Sequence, residues 1–245
     1  MNNQLLKQDS LSDEIKQKIA AELNLSETAF VSKNWLKSSS SSSVVNDRKL
    51  TLRWFTPEAE VPLCGHATLA TARALFETME QPSTVETETR LDFQTKFKGI
   101  LSATMDWITG RISLDFPLAP PIPFSALQLE CLPQLLIHLL EPLSTIEVHS
   151  VHYSPATKKL LVRIRGELSD ADVQSSSLIK LRPNFNALLN TRGTEQLLSN
   201  TNPRFCLGND MVLGIIVTIK GSEDVNFYSR YFAPWVGINE DPVCI

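Results

Sequence analysis

The sequence predicts an α+β protein built as two similar halves. Short runs with a two-residue hydrophobic period are interleaved with a few stretches of helical period. Pro117, Pro120, Pro121 and Pro123 break the chain near its middle, placing a boundary near Pro120 and the halves at residues 1–119 and 120–245. A short pattern occurs twice: Arg53-Trp54-Phe55-Thr56-Pro57 matches Arg230-Tyr231-Phe232-Ala233-Pro234, and each leads on to a cysteine, Cys64 or Cys244.

In chain order, residues 11–23 read as a helix capped by Ser12, with Asp13 and Glu14 in the first turn and Ile15, Ile19 and Leu23 as the buried stripe. Asn24 stops it. Ser26 to Val31 reads as a strand with Glu27, Ala29 and Val31 on one face, and the serine run 38–43 as a hairpin loop. Leu50 to Thr56 is a second strand, with Leu50, Leu52 and Trp54 on one face, broken at Thr56-Pro57-Glu58 because proline donates no amide proton. From Ala67 the period turns helical through Leu69, Arg73 and Phe76 until Gln81-Pro82-Ser83 interrupts it. Gly65 and His66 therefore stand where a loop feeds a helix N-terminus, whose amides and dipole favour an anion such as a carboxylate. Three strands follow, carried by Leu91-Phe93-Thr95, Ile100-Ser102-Thr104 and Ile112-Leu114-Phe116, with a turn at Thr109-Gly110.

The second half opens with a leucine-rich helical stretch, Ala126 to Leu140, and strands at Ile146-Val148 and Leu160 to Ile164. Helical stretches are predicted near 171–181 and 184–189, and an irregular polar segment over 191–210. Met211 to Ile219 is continuously apolar and reads as a central strand leading into Phe227 to Phe232.

Composition excludes several classes. Hydrophobic residues are 42 % and charged residues 20 %, with a net charge of −4 and no basic cluster, so neither nucleic acid nor an anionic membrane is an expected partner. The apolar runs are too short to span a bilayer, and the first ten residues lack the apolar core of a signal peptide. The four cysteines, Cys64, Cys131, Cys206 and Cys244, have no framework spacing and read as reduced thiols in a cytoplasmic protein. Gly-x-Gly-x-x-Gly, Walker and Gly-x-Ser-x-Gly patterns do not occur. No metal is expected, because Cys64 and His66 lack a matching second pair and His149 and His152 point to opposite strand faces.

The stretch Arg53 to Ala70, RWFTPEAEVPLCGHATLA, resembles the signature of the PhzF family, the phenazine biosynthesis-like proteins, most nearly those of animal type. Asn24 to Val31 resembles the segment carrying that family's acid/base glutamate. Tyr228 to Gly237, followed by Glu240-Asp241-Pro242-Val243, resembles its second-half signature. Three ordered blocks are more specific than one motif. The resemblance implies two halves of the diaminopimelate-epimerase-like fold, each a sheet wrapped around a helix, with a cleft between. It further implies a cofactor-independent isomerase that moves a proton on a small carboxylated substrate, and it allows a homodimer.

By that resemblance Glu27 is the catalytic acid/base, since a carboxylate shielded in an apolar cleft is tuned toward neutrality. His66 is a catalytic and substrate-binding residue, Gly65 offers its amide to the substrate, and Asp241 orients or stabilises charge from the second half. From the residues alone, Glu27 as an edge glutamate, His66 as a helix cap and Asp241 as a turn residue remain open. Two alternatives also stand: a two-thiol racemase using Cys64 and Cys244, against which Glu27 argues, and a catalytically impaired relative with a binding or regulatory role. The resemblance implies that the first half lacks the family's opening strand and Gly-Asn-Pro segment. The second half would lack the continuation Thr-Gly-Ser-Ala-His and its helix.

Overall fold

The computed structural model describes residues 11–33, 50–79, 87–123, 132–141, 146–168, 176–191, 194–195, 204–207, 210–222 and 225–242. The serine run 38–43, the Gln81-Pro82-Ser83 break, the start of the 126–140 stretch, residues 171–175, much of 191–210, and Cys131 and Cys244 lie outside them. The chain divides into two compact units, Met1–Pro117 and Leu118–Cys244. No described helix is long and apolar enough to cross a membrane.

The first unit is built on a sheet flanked by helices. Helix α1 (Asp13–Leu23) is capped by the Ser12 hydroxyl, which accepts from the Ile15 amide, and ends at Asn24 in the left-handed conformation (φ 49°) that asparagine tolerates. Strands β1 (Thr28–Lys33), β2 (Leu50–Phe55), β4 (Glu88–Thr95), β5 (Ile100–Asp106) and β6 (Ile112–Asp115) lie in the order β1-β2-β4-β5-β6, with β3 (Glu60–Val61) paired to the end of β2. Only β2 and β4 run parallel among these neighbours. Helix α2 (Gly65–Phe76) packs on this sheet through Ala67, Thr68, Ala72 and Phe76. Its core partners are Leu50, Leu52, Trp54, Leu91, Phe93, Leu101, Ala103 and Met105.

Three faces differ from the sequence reading. In α1 the buried residues are Lys16 and Ala20, while Ile15 is 44 % and Leu23 53 % exposed. The helix is set by its polar side: the Gln17 amide donates to the carbonyls of Thr56 and Pro57 at 2.9 and 3.0 Å. In α2 the stripe is shifted, and Arg73 is exposed and paired with Glu77 at 2.7 Å. In β5 the core side is Leu101, Ala103 and Met105, because Ala103 and Leu101 stand opposite Leu91 and Phe93 of β4. Ser102 is buried on the other face by the Asp92 carboxylate, to which it donates at 2.6 Å.

The second unit carries a sheet in the order β15-β14-β13-β9-β8-β7: β15 (Ile238–Asp241), β14 (Phe227–Ala233), β13 (Gly214–Gly221), β9 (Lys159–Leu168), β8 (Val148–Ser154) and β7 (Ile122–Pro123). β13 is central, as its apolar run predicts, and pairs parallel with β9. Helices α3 (Leu132–Leu140), α4 (Ser177–Lys180) and α5 (Phe185–Leu189) supply Leu135, Leu139, Leu178 and Leu188 to its core. Within 191–210 the described parts include β10 (Thr194–Glu195) and β11 (Arg204–Leu207), which with β12 (Asp210–Val212) form a small antiparallel sheet.

The repeated pattern is structural. Arg53 on β2 forms a two-bond fork to Glu60 (2.6 and 2.9 Å), and Arg230 on β14 forms the same fork to Glu240 (2.6 and 2.7 Å). Each guanidinium also lies over the ring two residues on, Phe55 at 5.1 Å and Phe232 at 5.0 Å. Trp54 pairs with Val61 and Tyr231 with Asp241. The echo therefore runs further than the strand, to Glu60-Val61-Pro62-Leu63-Cys64 and Glu240-Asp241-Pro242-Val243-Cys244.

Candidate functional site

The tight Asn24 turn leaves Ser26 and Glu27 between α1 and β1, beside the start of α2. Glu27 Oε2 lies 3.3 Å from His66 Nε2, and Ser26 Oγ lies 3.4 Å from the same nitrogen. The Glu27 side chain is only 7 % exposed and that of His66 18 %. Cys64, itself buried, places Sγ 3.7 Å from Nδ1 and 3.8 Å from Nε2 of His66. Three side chains from two segments thus meet at one imidazole.

Local sequence explains the arrangement. Val61-Pro62-Leu63 carries the chain from β3 to Cys64, which is the N-cap of α2 with extended backbone (φ −141°, ψ 117°) and provides no side-chain cap. Thr68 closes the first turn by donating its hydroxyl and its amide to the Cys64 carbonyl, at 2.5 and 3.2 Å. The earlier first-turn amides, including those of Gly65 and His66, point out of the helix end and carry the positive end of its dipole. A side chain at position 65 would meet Phe116 at 3.5 Å, an ordinary contact. Packing therefore tolerates a methyl at residue 65, and the use of glycine there is openness toward those amides.

Chemically, this is a proton-handling pair. Turned into line with its proton on Nε2, the imidazole can donate to the Glu27 carboxylate across the 3.3 Å contact. With its proton on Nδ1 it accepts from a protonated Glu27 or from the Ser26 hydroxyl.

The structure brings together three of the four residues singled out from sequence, Glu27, Gly65 and His66. Asp241 belongs to the second unit, buried at the end of β15 and paired in register with Tyr231. Sequence reasoning missed Ser26 as a partner of His66; its hydroxyl next to the glutamate was the only signal. It also did not connect Cys64 to Glu27, which lies 37 residues away in the chain and reaches the thiol only through folding.

Comparison with known proteins gives the family of the chain. The profile of the PhzC-PhzF family, phenazine biosynthesis-like protein, matches residues 4–244. The phenazine biosynthesis-like domain-containing protein of Homo sapiens is 37 % identical over 97 % of the chain and 71 % of its own length. A Pseudomonas aeruginosa protein described as an uncharacterized isomerase is 33 % identical over 95 % of the chain and 66 % of its own. The crystal structure of a PhzF family protein from Enterococcus faecalis superposes with a TM-score of 0.59 at 31 % identity, covering 96 % of this chain and 67 % of that one.

Proposed function

We propose that this chain, which belongs to the PhzC-PhzF family of phenazine biosynthesis-like proteins, is a cofactor-independent isomerase. It moves a proton between carbons of a small carboxylated substrate. The observation that carries the reading is the shielded Glu27 carboxylate held 3.3 Å from His66 at the N-terminus of α2. The name of the Pseudomonas relative supports the reaction class.

The roles follow from the chemistry of each group. The substrate carboxylate docks at the first turn of α2, where amide donors and the dipole favour an anion and Gly65 permits close approach. Glu27 abstracts a proton from carbon and returns it at a second carbon, so no redox or group-carrying cofactor is required. His66 accepts or donates a hydrogen bond as Glu27 changes charge, which keeps the carboxyl oriented and offsets the cost of its burial. Asp241 enters the proposal through its position in the Glu240-Asp241-Pro242-Val243 block, as the residue that stabilises charge from the second half.

The test is solvent-deuterium incorporation into a panel of cyclic dienoic and amino acids. Wild type is expected to label at least one compound, with Glu27→Gln slower by about 10²–10⁴-fold, the usual contribution of a positioned acid/base. Labelling that is equal in the two proteins on every compound overturns the reading. Saturable carboxylate binding without labelling would instead assign the chain a binding role.

A further inference from the structure

Cys64, His66 and Glu27 present a thiol, an imidazole and a carboxylate whose donor atoms all lie within 4.8 Å of one another. We propose that these three side chains form a zinc-binding site, and that zinc bound there silences the acid/base pair. In a tetrahedral zinc centre with ordinary bond lengths, sulfur and nitrogen ligands stand about 3.6 Å apart and nitrogen and oxygen about 3.4 Å. Here Cys64 Sγ is 3.8 Å from His66 Nε2, and that nitrogen is 3.3 Å from Glu27 Oε2. Two of the three edges are already close to the required lengths, and the third, Cys64 Sγ to the Glu27 carboxylate, lies within 4.8 Å. Because Sγ stands almost equally far from both imidazole nitrogens, the ring must turn to aim its Nε2 lone pair at the metal.

The donor set suits zinc in particular. Thiolate and imidazole are borderline-soft ligands that hard cations such as magnesium avoid, and one carboxylate completes three protein ligands with a fourth position open. Cys64 sits at the N-cap of a helix of 12 residues, where the dipole favours the thiolate that a metal needs. Its carbonyl is fixed by Thr68, so the thiol is presented from a rigid first turn. Burial excludes competing water: Cys64 is 6 % exposed and the Glu27 side chain 7 %.

Binding balances simply. The Cys64 thiol loses its proton to solvent as the S–Zn bond forms. The imidazole keeps its one proton on Nδ1, so that Nε2 offers a lone pair, and Glu27 binds as the carboxylate, giving up any proton it carries to solvent. The same two groups that pass a proton in the isomerase reading are thereby occupied. The binding claim stands on the geometry, whereas the inhibitory consequence rests on the acid/base reading above.

The experiment separates the two. Cobalt(II), a spectroscopic stand-in for zinc, is titrated into the reduced full chain under anaerobic conditions. The expected result is a thiolate-to-cobalt charge-transfer band that saturates at one equivalent and is bleached by zinc. The band should persist when Cys131, Cys206 and Cys244 are all serine, and disappear in Cys64→Ser. Glu27→Gln should keep the band with affinity weakened by at least about tenfold, as loss of a ligand requires. No saturable band in wild type, a band that survives Cys64→Ser, or unchanged affinity in Glu27→Gln overturns the site. Where a labelled substrate is found, zinc should suppress exchange and a chelator restore it. Undiminished exchange at saturating zinc overturns the inhibitory consequence.

Discussion

Arg53 shows how much one side chain organises. Its guanidinium forks onto Glu60 and adds a 2.5 Å bond to Asp13, while Lys96 reaches Glu60 at 2.7 Å. The arginine hydrogen bond holds the Asp13 carboxyl down at about 2. Burial opposes ionisation of Glu60, but its bonds to Arg53 and Lys96 outweigh that and keep it below the usual carboxylate range. A depressed folded-state value means stability that is present above the unfolded value, 3.8 for Asp13, and is lost as pH falls through about 2. Asp13→Asn should therefore lower the melting temperature slightly at neutral pH and not at all below about pH 2, as melting curves across an acid series will show. Arg53→Lys keeps the charge and loses the fork, and should cost roughly 1–3 kcal/mol by denaturant titration, because ammonium cannot hold two carboxylates in that geometry. At this scale the motifs singled out Glu27, Gly65 and His66, which the fold brings side by side. The Ser26 and Cys64 contacts were hidden because a hydroxyl and a thiol acquire roles only from what folding places beside them.

Between elements, the paired hairpins β1–β2 and β13–β14 explain why the acid stands in one unit only. Thr28 pairs with Phe55 and Ile215 with Phe232, so Glu27 and Gly214 occupy corresponding positions one residue earlier. A side chain at Gly214 would collide with the Tyr231 ring, which fills that space under the Lys159 ammonium 4.4 Å from its centroid. Gly214→Ala is thus expected to destabilise the second unit by ~1–3 kcal/mol through overpacking. Tyr231→Val in the same chain should recover part of the loss, and a double-mutant cycle of melting temperatures reads the coupling. A second contrast lies in the two arginines. Arg230 also donates to the carbonyls of Leu178 and Leu181, at 2.7 and 3.0 Å, which ties the end of α4 to β14. Element existence was largely readable from period and punctuation: β2 and β4 emerged with the expected faces, and β13 inside its sheet. The faces of α1, α2 and β5 were misread for a common reason. Apolar residues lie on both sides of these segments, and hydrogen bonds from Gln17, Arg73 and Ser102 chose between them.

At the scale of the whole molecule, the described core falls into two clusters, each drawn from one unit. Leu50, Leu52, Trp54, Phe76, Phe93 and Leu101 serve the first. Leu135, Leu160, Val162, Ile215, Val217 and Phe232 serve the second. Truncating a fully buried leucine removes transfer energy and leaves a cavity, typically at a cost of about 2–5 kcal/mol. That cost falls on whichever cooperative unit owns the residue, since the free energy of local opening is set by the packing which that unit gives up. Leu52→Ala should therefore speed amide exchange throughout β2, β4 and β5 and leave β9 and β13 at wild-type rates. Leu160→Ala should do the reverse. Hydrogen–deuterium exchange with peptide-level readout measures both variants against wild type. If either substitution accelerates all these strands equally, the chain opens as one unit and the division of its core has no energetic meaning. If each is confined to its own sheet, the repeat visible in Arg53-Trp54-Phe55 and Arg230-Tyr231-Phe232 marks two folding units. In that case changes to the zinc ligands Cys64, His66 and Glu27 can be read without disturbing the strands that carry Asp241.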